Sequence, residues 1–215
     1  MSKLTGPLFS LTARKTIGKS LTYSGWRGVQ YVRTRVIPAN PKSTDQVAVR
    51  NIFHSLCDLW NRRGALFNEP FLSASKGTPK TDRNLLIALN VPALKGETTL
   101  AKFVFSPGDG GALPPLTAVG ADGGSQVLNI TLTQPTLPDG WTQVAAYGIA
   151  IKDGNFSTYV TRTPREGKDD TTPFTSIAIN CEEAGTYKWG AYNRYTAPDG
   201  STRHSVALTG STVIA

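Results

Sequence analysis

The amino-acid sequence predicts a mostly β protein with one main helix: an N-terminal β-hairpin and helix module, then an antiparallel β-sandwich. Composition is the first observation. Threonine occurs 26 times, glycine and proline together 35 times in 215 residues, and charged residues make up only 18%. Such a chain favours strands and turns. The second is a single long amphipathic pattern over residues 43–63. The third is a series of short apolar runs after residue 126, separated by Pro138-Asp139-Gly140, Asp153-Gly154-Asn155 and Pro198-Asp199-Gly200. Turn chemistry at this spacing is the signature of an antiparallel sandwich.

Residues 8–37 read as strands, with Gly18, Gly25 and Gly28 as turn or bulge marks. Because side chains alternate along a strand, Val32, Thr34 and Val36 share one face while Tyr31, Arg33 and Arg35 share the other. Pro38 and Pro41 end this strand. Ser43 then stands at the N-cap with Gln46 as capping-box partner, and Asp45 suits the positive helix end. Val49, Ile52, Phe53, Leu56, Leu59 and Trp60 give the helix one buried face. Gly64 is expected in the left-handed closing position. A second, short helix fits residues 81–90, stopped by Pro92.

Further on, a Gly/Pro-rich stretch (residues 106–125) leads into strands at 126–133, 143–151, 156–163, 174–180, 185–195 and 203–213. Alternation selects as in-facing Leu128, Ile130 and Leu132; Tyr147, Ile149 and Ile151; Ile177 and Ile179; Tyr187, Trp189 and Ala191; and Val206 and Leu208. The expected domains are a basic hairpin/helix assembly module over residues 1–95 and a sandwich over residues 96–215.

Charge is the strongest functional signal. The formal net charge is +8, yet residues 1–64 hold eleven Lys/Arg against only Asp45 and Asp58. Such a segment attracts anions: nucleic acid, an acidic protein or a lipid surface. Candidate anion contacts are Arg14, Lys15, Lys19, Arg27, Tyr31, Arg33 and Arg35.

Motifs for bond-making chemistry are weak. Residues 13–20 fit a loose phosphate-loop pattern, but Leu21-Thr22-Tyr23-Ser24-Gly25-Trp26 follows and favours a strand where that chemistry needs a helix. His54 and Cys57 lie three apart on the main helix, too few for a metal site and without an orienting third group. Two cysteines make no disulfide framework. The loops around Asp109 and Asp122 each supply one carboxylate where calcium wants several oxygens. No run approaches the length of a membrane span, and the opening MSKLTGPLFSLTARK lacks a signal-peptide core. The expectation is a chain with no enzymatic activity, no cofactor and no membrane partner.

Gly185-Thr186-Tyr187-Lys188-Trp189-Gly190-Ala191-Tyr192-Asn193 resembles the penultimate strand of fibronectin type III domains, and residues 98–215 are similar to the fibronectin type III and immunoglobulin-like sandwiches. The resemblance implies that a tyrosine near the strand start makes a corner hydrogen bond. Gly25-Trp26-Arg27-Gly28, Tyr31-Val32-Arg33, Pro38, the run from Asn40-Pro41 to Gln46, then Arg50, Phe53 and Trp60, resemble a progression in tailed-bacteriophage and prophage virion proteins. That resemblance implies a virion component in the neck, tail or capsid surface, assembled as a homo-oligomer with other virion proteins. Its basic first third would dock on acidic partners or packaged DNA. The alternative is a nucleic-acid-binding protein using the same basic third, with Tyr23, Trp26 or Tyr31 stacking on bases. A carbohydrate-binding sandwich would use Trp141, Trp189 or Tyr192.

Overall fold

The computed structural model describes residues 2–4, 15–18, 20–26, 29–37, 39–109, 113–114, 116–123, 126–159 and 161–215. These fall into two compact units, Met1–Lys42 and Ser43–Ala215. The chain is mostly β, with antiparallel sheets and three helices.

In the first unit, β1 (Ser2–Leu4), β2 (Lys15–Ile17), β3 (Leu21–Trp26) and β4 (Val29–Thr34) form one antiparallel sheet in the order β1-β4-β3-β2. The register sets Thr22 opposite Arg33, Tyr23 opposite Val32 and Ser24 opposite Tyr31. The Arg35 amide donates to the Ser20 carbonyl at 2.7 Å, which continues the ladder one pair further. Val36 and Ile37 lie beyond the strand, three-quarters exposed. Residues 8–14 of the expected strand region, with Lys19, Arg27 and Gly28, lie outside the described residues.

The second unit opens with α1 (Thr44–Asn61), whose N-cap Ser43 accepts from the Gln46 amide as the capping pattern predicts. Ile52, Leu56, Leu59 and Trp60 form its buried face, while Phe53 is half exposed. Two further helices follow: α2 (Ala65–Ser75), which was not expected, and α3 (Asp82–Leu94), where a short helix was expected over 81–90. Gly64 does not close α1 in a left-handed turn; it is the extended N-cap of α2. A Cβ there would collide with the Glu166 carboxylate. That carboxylate accepts from the amides of Leu66 and Phe67, at 3.2 and 2.8 Å, and so caps α2 from a distant strand. Glu166→Ala should cost about 1–2 kcal/mol, read as a drop of a few degrees in the melting temperature.

Pro70 inside α2 lacks an N–H, which leaves the Leu66 carbonyl without its helical donor. The fully buried Tyr192 hydroxyl donates to that carbonyl at 2.6 Å instead. Pro92 does not stop α3 but sits in its last turn, and the helix runs on to Leu94.

The strands make two sheets. One holds β5 (Ala118–Gly123), β6 (Val127–Thr133) and β9 (Ser176–Asn180). The other holds β7 (Thr142–Lys152), β8 (Arg165–Asp169), β10 (Gly185–Thr196), β11 (Thr202–His204) and β12 (Leu208–Ile214), in the order β11-β10-β7-β8 with β12 also on β10. Among the described residues of 156–163 (156–159 and 161–163) there is no strand; the partner of β7 is β8, which begins at Arg165. The single run expected at 203–213 is split into β11 and β12. Part of the presumed Gly/Pro connection is strand β5, paired along β6.

The larger sheet is buried on both faces, so the unit has three layers. Leu128, Ile130, Leu132, Ile177, Ile179, Tyr187, Trp189 and Ala191 pack between the sheets as expected, joined by Ala146 and Ala150. Tyr147, Ile149 and Ile151 face the other way, into a helical core with Leu56, Trp60, Phe67, Phe71, Phe103 and Phe105. Gly190 permits this approach, since a Cβ there would stand 2.5 Å from the Phe105 ring. Val206 is not in either core but more than half exposed. The helices therefore belong to the sandwich by a shared core, and the division of the chain falls at residues 42/43 rather than near residue 95.

Candidate docking surface

All the excess charge lies in the first unit. Residues 1–42 hold eight Lys/Arg and no Asp or Glu, whereas residues 43–215 hold fifteen of each. In the second unit much of this charge is locally paired: Arg62 with Asp58, Lys102 with Glu97, Lys152 with Glu183, Arg165 with Glu182 and Lys168 with Asp170. Exposed pairs of this kind add little stability. They do leave the unit neutral while the sheet of the first unit keeps a one-sign field.

The register sorts the first sheet into two unlike faces. Ser20, Thr22 and Ser24 share a face with Tyr31, Arg33 and Arg35, and the Thr16 hydroxyl meets that of Thr22 at 3.3 Å. Lys3 pairs with Tyr31 on β1, at the same register level. Val29, opposite Trp26, is the one aliphatic position on this face among the described pairs. The opposite face takes Ile17, Leu21, Tyr23 and Val32, together with Lys15, which pairs with Tyr23. Of the seven candidate anion contacts, the structure thus brings Tyr31, Arg33 and Arg35 together and sets Lys15 on the other face. Arg14, Lys19 and Arg27 lie outside the described residues. Arg33, Arg35 and Lys15 are exposed and Tyr31 half-buried.

The second unit contains a buried polar cluster that residue types alone did not single out. His204, on β11, sets Nε2 3.3 Å from Glu69 Oε2 and Nδ1 3.7 Å from Asp109 Oδ2. Asp109 Oδ2 also accepts from the His204 amide at 2.7 Å and the Ser73 hydroxyl at 2.8 Å. Asp109 was expected in a loop as a lone carboxylate; its side chain is almost wholly buried. Serine, histidine and aspartate occur here together, but Ser73 donates to the carboxylate and to the Thr202 carbonyl rather than to the imidazole. Nucleophilic activation needs the hydroxyl on the base, so this arrangement ties α2 to β11 and the 106–109 segment.

Burial pushes the Asp109 carboxyl up, but the bonds from His204 and Ser73 outweigh it and hold the group below its ordinary value of 3.8. A carboxyl lowered in the folded state stabilises the fold above its unfolded value and loses that contribution as pH falls through the folded one. Stability measured by denaturant unfolding should therefore decline below about pH 4. Asp109→Asn should flatten that decline and cost on the order of 1–3 kcal/mol near neutrality.

The other candidate groups resolve simply. His54 is exposed and stacks on Tyr159 at 4.3 Å, while Cys57 and Cys181 are buried free thiols. Trp189 and Tyr192 are buried, so of the three aromatics suited to a sugar only the half-exposed Trp141 lines a cleft, with Leu113, Pro198, Asp199 and Arg203. Among the described residues no group of three or more His, Cys, Asp or Glu is placed to hold a metal ion, and no helix is long and apolar enough to cross a membrane. Comparison with known proteins gives no match: no family model, no curated protein and no solved structure corresponds to this chain.

Proposed function

We propose that this chain is a non-enzymatic structural protein of a bacteriophage virion, acting as a homo-oligomer through contacts with itself and with other virion proteins. Its first unit docks on an anionic surface, either acidic virion proteins or packaged DNA. The observation that carries this reading is the separation of charge: eight cations without one acid in residues 1–42, against a balanced remainder. A one-sign field of this kind steers association with a polyanion.

The second unit is a scaffold of fibronectin type III type in this reading. One sheet holds β5, β6 and β9 and the other β7, β8, β10, β11 and β12, a division of antiparallel strands between two packed sheets that supports this reading. The Tyr187 hydroxyl donates to the Glu183 carbonyl at 3.0 Å, four residues upstream at the entry to β10, which fits the corner bond of such domains. The helical layer on the larger sheet is a departure from a bare sandwich. Fold alone implies no activity; the virion assignment is supported by the residue progression from Gly25 to Trp60. Quantitative mass spectrometry of purified particles tests it. A fixed copy number per particle supports the assignment, and absence of the chain from the particles overturns it.

A further inference from the structure

We infer that the face of the first sheet bearing Ser20, Thr22, Ser24, Tyr31, Arg33 and Arg35 binds the phosphate backbone of duplex DNA. The inference rests on the reading of residues 1–42 as a docking unit and assigns both its working face and its ligand.

Arginine and lysine donate hydrogen bonds and accept none, and serine, threonine and tyrosine hydroxyls donate readily to an anion. Register gathers two arginines, three serine or threonine hydroxyls of β3 and its approach, and the Tyr31 hydroxyl on one face. Thr16 extends the hydroxyl row onto β2. No carboxylate occurs anywhere in the unit.

A protein partner would offer donors as well as acceptors, and its interface core would ask for apolar and aromatic anchors. This face carries no acceptor of charge, and its apolar positions, Val29 and Trp26, pair at one end of it rather than at its centre. The other apolar residues, Ile17, Leu21, Tyr23 and Val32, lie on the opposite face. A phosphate backbone is the complementary ligand, because it presents acceptors alone. Arg33 and Arg35 stand two residues apart on an extended strand, about 6.6 Å, so they can engage separate phosphates on one strand. Tyr31 and Trp26 are the two aromatic positions on the face among the described pairs, too few for the succession of base-stacking platforms that single strands use, which favours the duplex.

The test uses the full chain and a fluorescent duplex oligonucleotide, with the same sequence as a single strand and polyglutamate as competitors, across a salt titration. Arg33→Gln with Arg35→Gln is compared with Lys15→Gln with Lys42→Gln, which carry the same formal charge. The arginine pair should lower the slope of log affinity against log salt by about 1.8, at 0.9 per lost phosphate contact, and weaken binding more than the lysine pair. Arg33→Lys with Arg35→Lys should restore most of the slope. Equal loss in the two pairs would overturn the assignment of this face while leaving docking by the unit intact. Tighter binding to the single strand, or polyglutamate competing better than duplex, would overturn the duplex ligand. Retention on none of the three polyanions would overturn the docking reading itself.

Discussion

The full chain should lose about a thousandfold in affinity for a polyanion between 50 and 200 mM salt, the loss expected when roughly six phosphate contacts release their counterions. Eight cations are available in residues 1–42, none offset by a carboxylate within the unit. The remaining fifteen cations are matched by fifteen acids, several in direct pairs, and add little to the slope. The magnitude decides between mechanisms. A slope near zero would mean that contact is apolar or shape-driven, whereas a steep one requires many ions to be displaced together. The check is a fluorescence titration at four or more salt concentrations with the duplex and polyglutamate probes side by side.

The largest stability effect should come from Phe67→Ala, at about 3–5 kcal/mol. Phe67 has no exposed surface and its ring lies 6.3 Å from Trp60, 5.8 Å from Phe71 and 6.5 Å from Phe103. These residues, with Tyr147, Ile149 and Ile151 of β7, bind the helices to the larger sheet. Because β7 also lines the core between the sheets through Ala146 and Ala150, the two cores share a strand and should melt together. Calorimetry should show one transition for residues 43–215, lowered by about 10 °C in the variant. Persistence of the sheet signal after a separate loss of helical signal would contradict the three-layer account.

How much of this could be read from the sequence follows from where each determinant lies. α1 is legible because its signals are local: Ser43 caps it and its apolar residues recur at helical spacing. β6 is legible because one face is buried and the other wet, so Leu128, Ile130 and Leu132 alternate with polar residues. α2 is hidden because Pro70 interrupts it and its caps come from afar. Glu166 reaches the start of the helix, and Tyr192 serves the carbonyl that Pro70 leaves free. β7 was found, but with Tyr147, Ile149 and Ile151 aimed at the wrong layer. A strand buried on both faces has a continuous apolar run, and periodicity then carries no information about which side meets which neighbour. The polar edge strand β8 has no apolar pattern, so the alternation at 156–163 competed for its place.

The candidate surface divides in the same way. Alternation within β4 alone groups Tyr31, Arg33 and Arg35. Adding the hydroxyls of β3, and separating Lys15 from them, needs the pairing register, which no local pattern states. The Asp109–His204 contact joins residues 95 apart in the chain and leaves no trace in either segment.

The account stands on the charge of one unit, and a charge-matched exchange measures that directly. Lys15, Arg33, Arg35 and Lys42 are replaced by glutamine in one full-length variant, and the exposed Lys76, Lys80, Arg83 and Lys95 of the second unit in another, so both fall from +8 to +4. Affinity for duplex DNA at 100 mM salt should collapse in the first variant and change by less than about threefold in the second. Equal weakening of the two would contradict it, for binding would then follow total charge and the first unit would have no special part.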